Sequence, residues 1–205
     1  MRFYLSSFKL GEQSHLLVDL YGNERPLGYI ANALDHVTDT AWLEDLIASD
    51  MGALRSVGLQ AQRLDLREFF GSAGKLRAAT EGLSGLWVSG GNVFVLRQAM
   101  NLSGLDEFLR GPSVPDDFTY GGYSAGCCVL SPSLKPYAIV DDSDVKPYPQ
   151  ISEILWDGLG ILDFAFMPHF QSNHSESDLI EKEIEFCVEN NIAYRTFQDG
   201  DVLLL

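Results

Sequence analysis

The chain has 205 residues, and its 14 Lys and Arg against 29 Asp and Glu leave a formal charge of −15. Such a charge repels phosphate backbones and argues against a nucleic-acid partner. With 46% hydrophobic and 21% charged residues the chain can build a real core, and its length fits one α/β domain spanning 1–205.

Taken in order, Phe3-Tyr4-Leu5 reads as a short strand closed by Ser6-Ser7. His15 to Leu20 reads as helix, ended by Tyr21-Gly22-Asn23, and Leu27 to Ala31 follows Pro26 as a second strand. Asp39 or Thr40 can cap the next helix, whose apolar residues Leu43, Leu46, Ile47, Met51 and Leu54 share one face before Gly58 stops it. Leu59 to Leu64 is a third, more polar strand, which suits a sheet edge. Leu86-Trp87-Val88 is a strand that ends in Ser89-Gly90-Gly91-Asn92, and Val93 to Leu96 then starts a helix. A further helix covers Leu105 to Leu109, and Phe118-Thr119-Tyr120 leads as a strand into another glycine turn.

Residues 131–163 break this rhythm with Pro132, Pro136, Pro147 and Pro149 and read as loops and irregular strands. Phe164 to Met167 is a strand ended by Pro168-His169-Phe170. Ser175 and Asp178 resemble a capping box for a helix that runs to about Val188 with Ile180, Ile184 and Cys187 inward. Ile192 to Phe197 is a strand, and Gln198-Asp199-Gly200-Asp201 turns into Val202 to Leu205. Strands alternating with helices at this spacing imply a mostly parallel sheet with helices on both faces. Ligands of such sheets sit beyond the carboxyl ends of the strands, where both glycine turns are expected to meet.

No apolar run is long enough to span a bilayer, and Lys9, Glu12 and His15 leave no signal-peptide apolar region, so no membrane partner is expected. Cys127, Cys128 and Cys187 form neither a disulfide framework nor a Cys-x-x-Cys metal site. They fit a reducing compartment, and a cytoplasmic location is expected.

Gly122-x-Ser124-x-Gly126 fits the nucleophile elbow, with a strand before it and a buried helix start after it. The turn lifts the Ser oxygen clear of the backbone, and glycines two residues either side leave room for neighbouring backbone. A Ser hydroxyl needs a base. Of four histidines, His169 stands at the same kind of strand end as Ser124, and His174 is the backup; His15 and His36 are expected on the surface. The base needs an acid. Asp199 gives the chain order Ser–His–Asp, whereas Asp141 or Asp142 gives Ser–Asp–His, the α/β-hydrolase order. The residues alone leave both open, although the late His of an α/β-hydrolase is missing. For the oxyanion, the Ala125 N–H is one donor and the Gly91 N–H the other. The Gly90-Gly91-Asn92 turn lacks the spacing and Lys of a phosphate loop.

Ser89-Gly90-Gly91-Asn92-Val93-Phe94, Gly122-Tyr123-Ser124-Ala125-Gly126 and Pro168-His169-Phe170, in this order and spacing, resemble the peptidase E family of serine dipeptidases. The resemblance implies a single-domain, flavodoxin-like or class I glutamine-amidotransferase-like three-layer sandwich with a mostly parallel central sheet. It implies a serine peptidase acting on short peptides, with Ser124 as nucleophile and His169 as base, and with no metal or organic cofactor. Phe197-Gln198-Asp199-Gly200 matches the family's Leu-Pro-Glu-Gly turn, which makes Asp199 the third member. Asn92, with Gly90 beside it, would contact the substrate, Asn92 at its free amino end. Members that cleave after an N-terminal Asp carry an Arg shortly after the His motif. Glu176-Ser177-Asp178 stands there instead, which argues against Asp specificity and leaves Arg195 and Lys182 as substitute cations. A monomer or homodimer is expected. The alternatives are an esterase or amidase of α/β-hydrolase type and an inactive binding module on the same fold.

Overall fold

The computed structural model describes residues 1–205. Tyr4 and Leu5, Tyr29 and Ile30, and Trp87 and Val88 are neighbours in sequence and all are almost wholly buried. Successive strand side chains point to opposite faces, so each pair serves two cores at once. Tyr4, Tyr29 and Trp87 join one cluster with Leu17, Ile47 and Leu54, while Leu5, Ile30 and Val88 join a larger one on the other face. A sheet buried on both sides is the result.

Eight strands form in chain order: β1 (Arg2–Ser6), β2 (Leu27–Ile30), β3 (Ala61–Arg63), β4 (Gly85–Val88), β5 (Thr119–Tyr123), β6 (Ala165–Met167), β7 (Tyr194–Thr196) and β8 (Val202–Leu204). Six of them build the central sheet in the order β3-β2-β4-β5-β1-β8. All neighbours in it are parallel except β8, which runs antiparallel to β1. The polar β3 lies at one edge, as its composition suggests. β6 and β7 stand apart from this sheet as a parallel pair of their own.

The helices are α1 (Leu17–Tyr21), α2 (Thr40–Ser56), α3 (Ala73–Thr80), α4 (Val93–Ser103), α5 (Leu105–Arg110), α6 (Ala125–Cys128) and α7 (Ser177–Glu189). Asp39 caps α2 by accepting the Trp42 N–H at 3.0 Å. α4 is buried along most of its length, and its Arg97 and Gln98 are buried with it, bonded to Asp106 and to the Val145 carbonyl. α3 lies in a segment with little apolar pattern, since only Leu76 and Thr80 of that helix are buried.

α7 departs from the expected capping box. It begins at Ser177, and its N-cap, Glu176, makes no side-chain capping bond. Ser175 is exposed, and the polar groups of this turn bond to one another instead. The Glu176 N–H donates to His174 Nδ1 at 3.3 Å, and the Ser172 N–H donates to Ser177 Oγ at 3.1 Å. No helix is long and apolar enough to cross a membrane.

Candidate active site

β5 ends at Tyr123, and Ser124 then takes φ 48° and ψ −117°, a backbone state rare for any residue with a side chain. Ser124 is also the residue at which α6 starts, so its neighbouring N–H groups point out of the helix end. Gly122 and Gly126 are needed for space. A Cβ on Gly122 would lie 2.6 Å from the Val88 carbonyl oxygen, and one on Gly126 would lie 2.4 Å from the same atom. The elbow is thus pressed onto the end of β4. Gly126→Ala should cost about 1–3 kcal/mol of stability, by analogy with overpacked cores. Urea unfolding would show it, and an unchanged midpoint would mean that the elbow yields.

The second glycine turn follows β4. Gly91 has φ 134°, and a Cβ there would meet the Ala33 carbonyl oxygen at 2.8 Å. A Cβ on Gly90 would meet the Tyr123 ring at 2.8 Å and Ser124 Cβ at 3.2 Å, so Gly90 lets the two turns touch. Asn92 caps α4: its Oδ1 accepts the Phe94 and Val95 N–H groups at 2.9 and 3.0 Å. Its Nδ2 donates to the Asp142 carbonyl at 3.0 Å. The Asn92 amide is therefore largely engaged in holding this turn.

His169 follows β6 with φ 59° and is 1% exposed. Its backbone N–H donates to Ser7 Oγ at 2.9 Å, and its Nδ1 lies 2.7 Å from Asp199 Oδ1. Ser7 Oγ also sits 3.2 Å from Asp199 Oδ1, and the Asp199 N–H donates to Ser172 Oγ at 2.8 Å. With the carboxylate accepting from Nδ1, the Nε2 lone pair is the one left for chemistry. Burial lowers the His169 pKa from its ordinary value, against the opposing pull of Asp199. Burial thus favours the neutral ring.

His174 is part of the same assembly. Its ring stacks on His169 at 3.7 Å between centroids and 8° between planes, and Phe8 meets both rings edge-on. His169, His174 and Glu176 bring possible ligand atoms within 4.8 Å of one another. The two imidazoles lie face to face, however, so their in-plane lone pairs do not converge on one ion.

A cleft of about 740 Å³ brings together Ser124, His169, Gly90, Gly91 and Asn92. Ser124 and His169 share it without a direct hydrogen bond between them. Ala125 lines a smaller recess that adjoins it at Ser124 and Gly91. Asp141 and Asp142 also line the cleft but serve the α4 turn. Asp141 Oδ2 accepts the Val93 N–H at 2.7 Å, and burial pushes its pKa up to about 7. Of the three Asp residues considered, Asp199 is the one bonded to the His169 ring. His15 and His36 are exposed, His36 at the cleft wall.

The thiols of Cys127 and Cys128 are buried and their pKa values are raised by burial, so neither suits a nucleophile's task. Arg195 stacks over Phe164 at 4.4 Å, and Lys182 is exposed on α7; neither lines the cleft. Lys9 does, and its Nζ is paired with the buried Asp50 at 2.7 Å. Asp178 is exposed, and Glu176 is the acid of that segment that faces the cleft. Sequence reasoning missed the places of Ser7, which braces His169 and Asp199, and of Glu176, which faces the cleft; the Ser6-Ser7 pair at the carboxyl end of β1 was the one available signal.

The model of peptidase family S51 matches residues 13–203. The chain belongs to that family, the peptidase E family. The uncharacterized peptidase Lmo0363 of Listeria monocytogenes serovar 1/2a is 29% identical over 120 residues, covering 58% of this chain and 55% of that protein. The uncharacterized peptidase Lin0382 of Listeria innocua serovar 6a is 28% identical over 120 residues, covering 58% of this chain and 54% of that protein. The match therefore spans about half the length of these curated relatives. A crystal structure of a protein provisionally named a peptidase E, from Listeria monocytogenes EGD-e, superposes with a TM-score of 0.73 at 21% identity. It covers 100% of this chain and 97% of that one. The structure of a peptidase from an acI-B1 Actinobacterium gives 0.68 at 16% identity, over 100% of this chain and 82% of the other. At such identities the likeness speaks for the fold of this S51 chain.

Proposed function

We propose that this S51 chain is a serine peptidase that hydrolyses short peptides, as a dipeptidase or related exopeptidase, through an acyl-enzyme. One observation carries the reading. The His169–Asp199 pair faces the cleft in which Ser124 stands at a strained strand end and helix start.

In this mechanism Ser124 Oγ attacks the scissile carbonyl while its proton passes to His169 Nε2. Asp199 keeps the other ring proton on Nδ1 and offsets the charge of the imidazolium. The carbonyl π electrons move to oxygen, where the Ala125 and Gly91 N–H groups receive them. Collapse of this intermediate breaks the C–N bond, and His169 returns its proton to the leaving amine. Water, deprotonated by the same His169, then releases the acyl group and restores Ser124. Asn92 and Gly90 shape the floor against which the substrate lies. The paired Lys9 and the facing Glu176 offer no clamp for a substrate carboxylate, which weighs against Asp-X specificity.

A fluorophosphonate probe tests the reading directly. It should modify one residue, Ser124, as read by peptide mass spectrometry, with labelling lost in His169→Ala. Folded protein that stays unlabelled and cleaves no dipeptide would remove the peptidase reading.

A further inference from the structure

The recess beside Ser124 runs from Gly91, Ser124 and Ala125 to three acids: Asp141, Glu176 and Glu183. Glu183 is 1% exposed, and its Oε2 has no hydrogen-bond partner. The mechanism above does not use it. A buried acceptor of this kind is costly unless a donor reaches it. Burial, reinforced by repulsion from Asp141 and Glu176, pushes the Glu183 pKa up to about 9. Three carboxyls line this recess, and none is paired with a Lys or Arg. Its place is equally telling. The recess is lined by Gly91 and Ala125, the two residues that would hold the oxyanion, and by Ser124 itself.

We propose that this recess receives the end of the side chain of the residue on the acyl side of the scissile bond, whose stem lies in the adjoining cleft, and that it selects a primary ammonium such as that of lysine. The proposal rests on the peptidase reading above and adds its substrate class. Hydrogen bonding carries it, because an ammonium supplies the donors that Glu183 Oε2 lacks, and its positive charge favours the ionised form of carboxyls that burial otherwise keeps protonated. Size narrows it. The free space of about 20 Å³ holds one water-sized group. An acidic side chain would add a fourth carboxyl to three and is rejected.

The experiment compares kcat/KM for Lys-Ala, norleucine-Ala, Arg-Ala and Asp-Ala in wild type and Glu183→Gln. Norleucine keeps the stem of lysine without its charge. Lys-Ala should exceed norleucine-Ala by at least tenfold in wild type, and the ratio should fall towards one in Glu183→Gln. A wild-type ratio near one would overturn the proposal. So would an equal loss on both substrates in the variant, which would put the shared α-ammonium in the recess. Glu176→Gln is the second variant should Glu183→Gln fail to fold. Calorimetry with lysinamide and norleucinamide reads the recess without turnover. Tenfold tighter lysinamide binding that is lost in Glu183→Gln supports it even if no dipeptide is cleaved, and equal binding overturns it. Folded protein that is unlabelled at Ser124 and cleaves no dipeptide, yet still binds lysinamide tenfold tighter, marks failure of the peptidase reading alone.

Discussion

Ser124→Ala is expected to lower kcat/KM on the best dipeptide by up to about a millionfold, and Asp199→Asn by about ten-thousandfold, on the scale of such losses in other serine hydrolases. The two differ for a physical reason. Without Oγ no acyl-enzyme can form. In the Asp199→Asn variant the nucleophile stays, but an amide NH₂ facing Nδ1 favours the tautomer with the proton on Nε2, where the base must be free. The 2.7 Å spacing between His169 and Asp199 and the brace from Ser7 make this tautomer control direct. Both variants should fold, since Ser124 is half-buried and Asn matches Asp in shape. Wild-type kcat/KM should lose activity on the acid side with a midpoint below about 6.5, because burial lowers the His169 pKa and only the neutral ring acts as base. An Asp199→Asn enzyme of near-normal rate would shift the orienting role elsewhere.

Glu183→Gln is expected to change how stability depends on pH. The folded chain holds this carboxyl up at about 9, whereas its ordinary value is 4.5. Between those values the folded state binds a proton that the unfolded state has released. The stability contributed by the raised pKa is complete below the unfolded value and is lost as pH rises through the folded one. The wild type should therefore lose up to about 1.4 kcal/mol per pH unit across this window relative to the variant. Asp141, raised to about 7, slopes the same way in both proteins and largely cancels in the difference. Urea unfolding of the two proteins between pH 5 and 9 measures it. Parallel curves would mean that Glu183 is ionised in the folded protein.

The features readable from sequence are those set by local backbone demands. The elbow announced itself because two glycines and a serine satisfy one steric problem, the approach to the Val88 carbonyl. The strand and helix order followed from apolar spacing, and the polar β3 declared its edge position. The parts that escaped depend on distant register. Ser7 acquires its role only when β1 lies beside β5, since no local pattern ties it to a histidine 162 positions later. Glu183 reads as an ordinary helix charge, yet it turns inward with Ile180 and Cys187 on the buried face of α7. The Ser175 capping box does not form because α7 starts two residues later, at Ser177, which leaves Ser175 outside the cap position. Asp199 could be preferred over Asp141 and Asp142 only by resemblance, and the ring geometry supplies the physical ground.

The ties on His169 also govern when activity can appear. Ser7 lies 162 residues from His169 and 192 from Asp199, so the site draws on both extremes of the described chain. Contacts of such sequence separation form late, after local helices and the inner strands. On refolding, tryptophan burial should thus precede the return of hydrolysis. On the proposed function, a ribosome-bound chain lacking the Asp199 turn would carry Ser124 but not the complete base, and would leave nearby peptides intact until synthesis had passed Asp199.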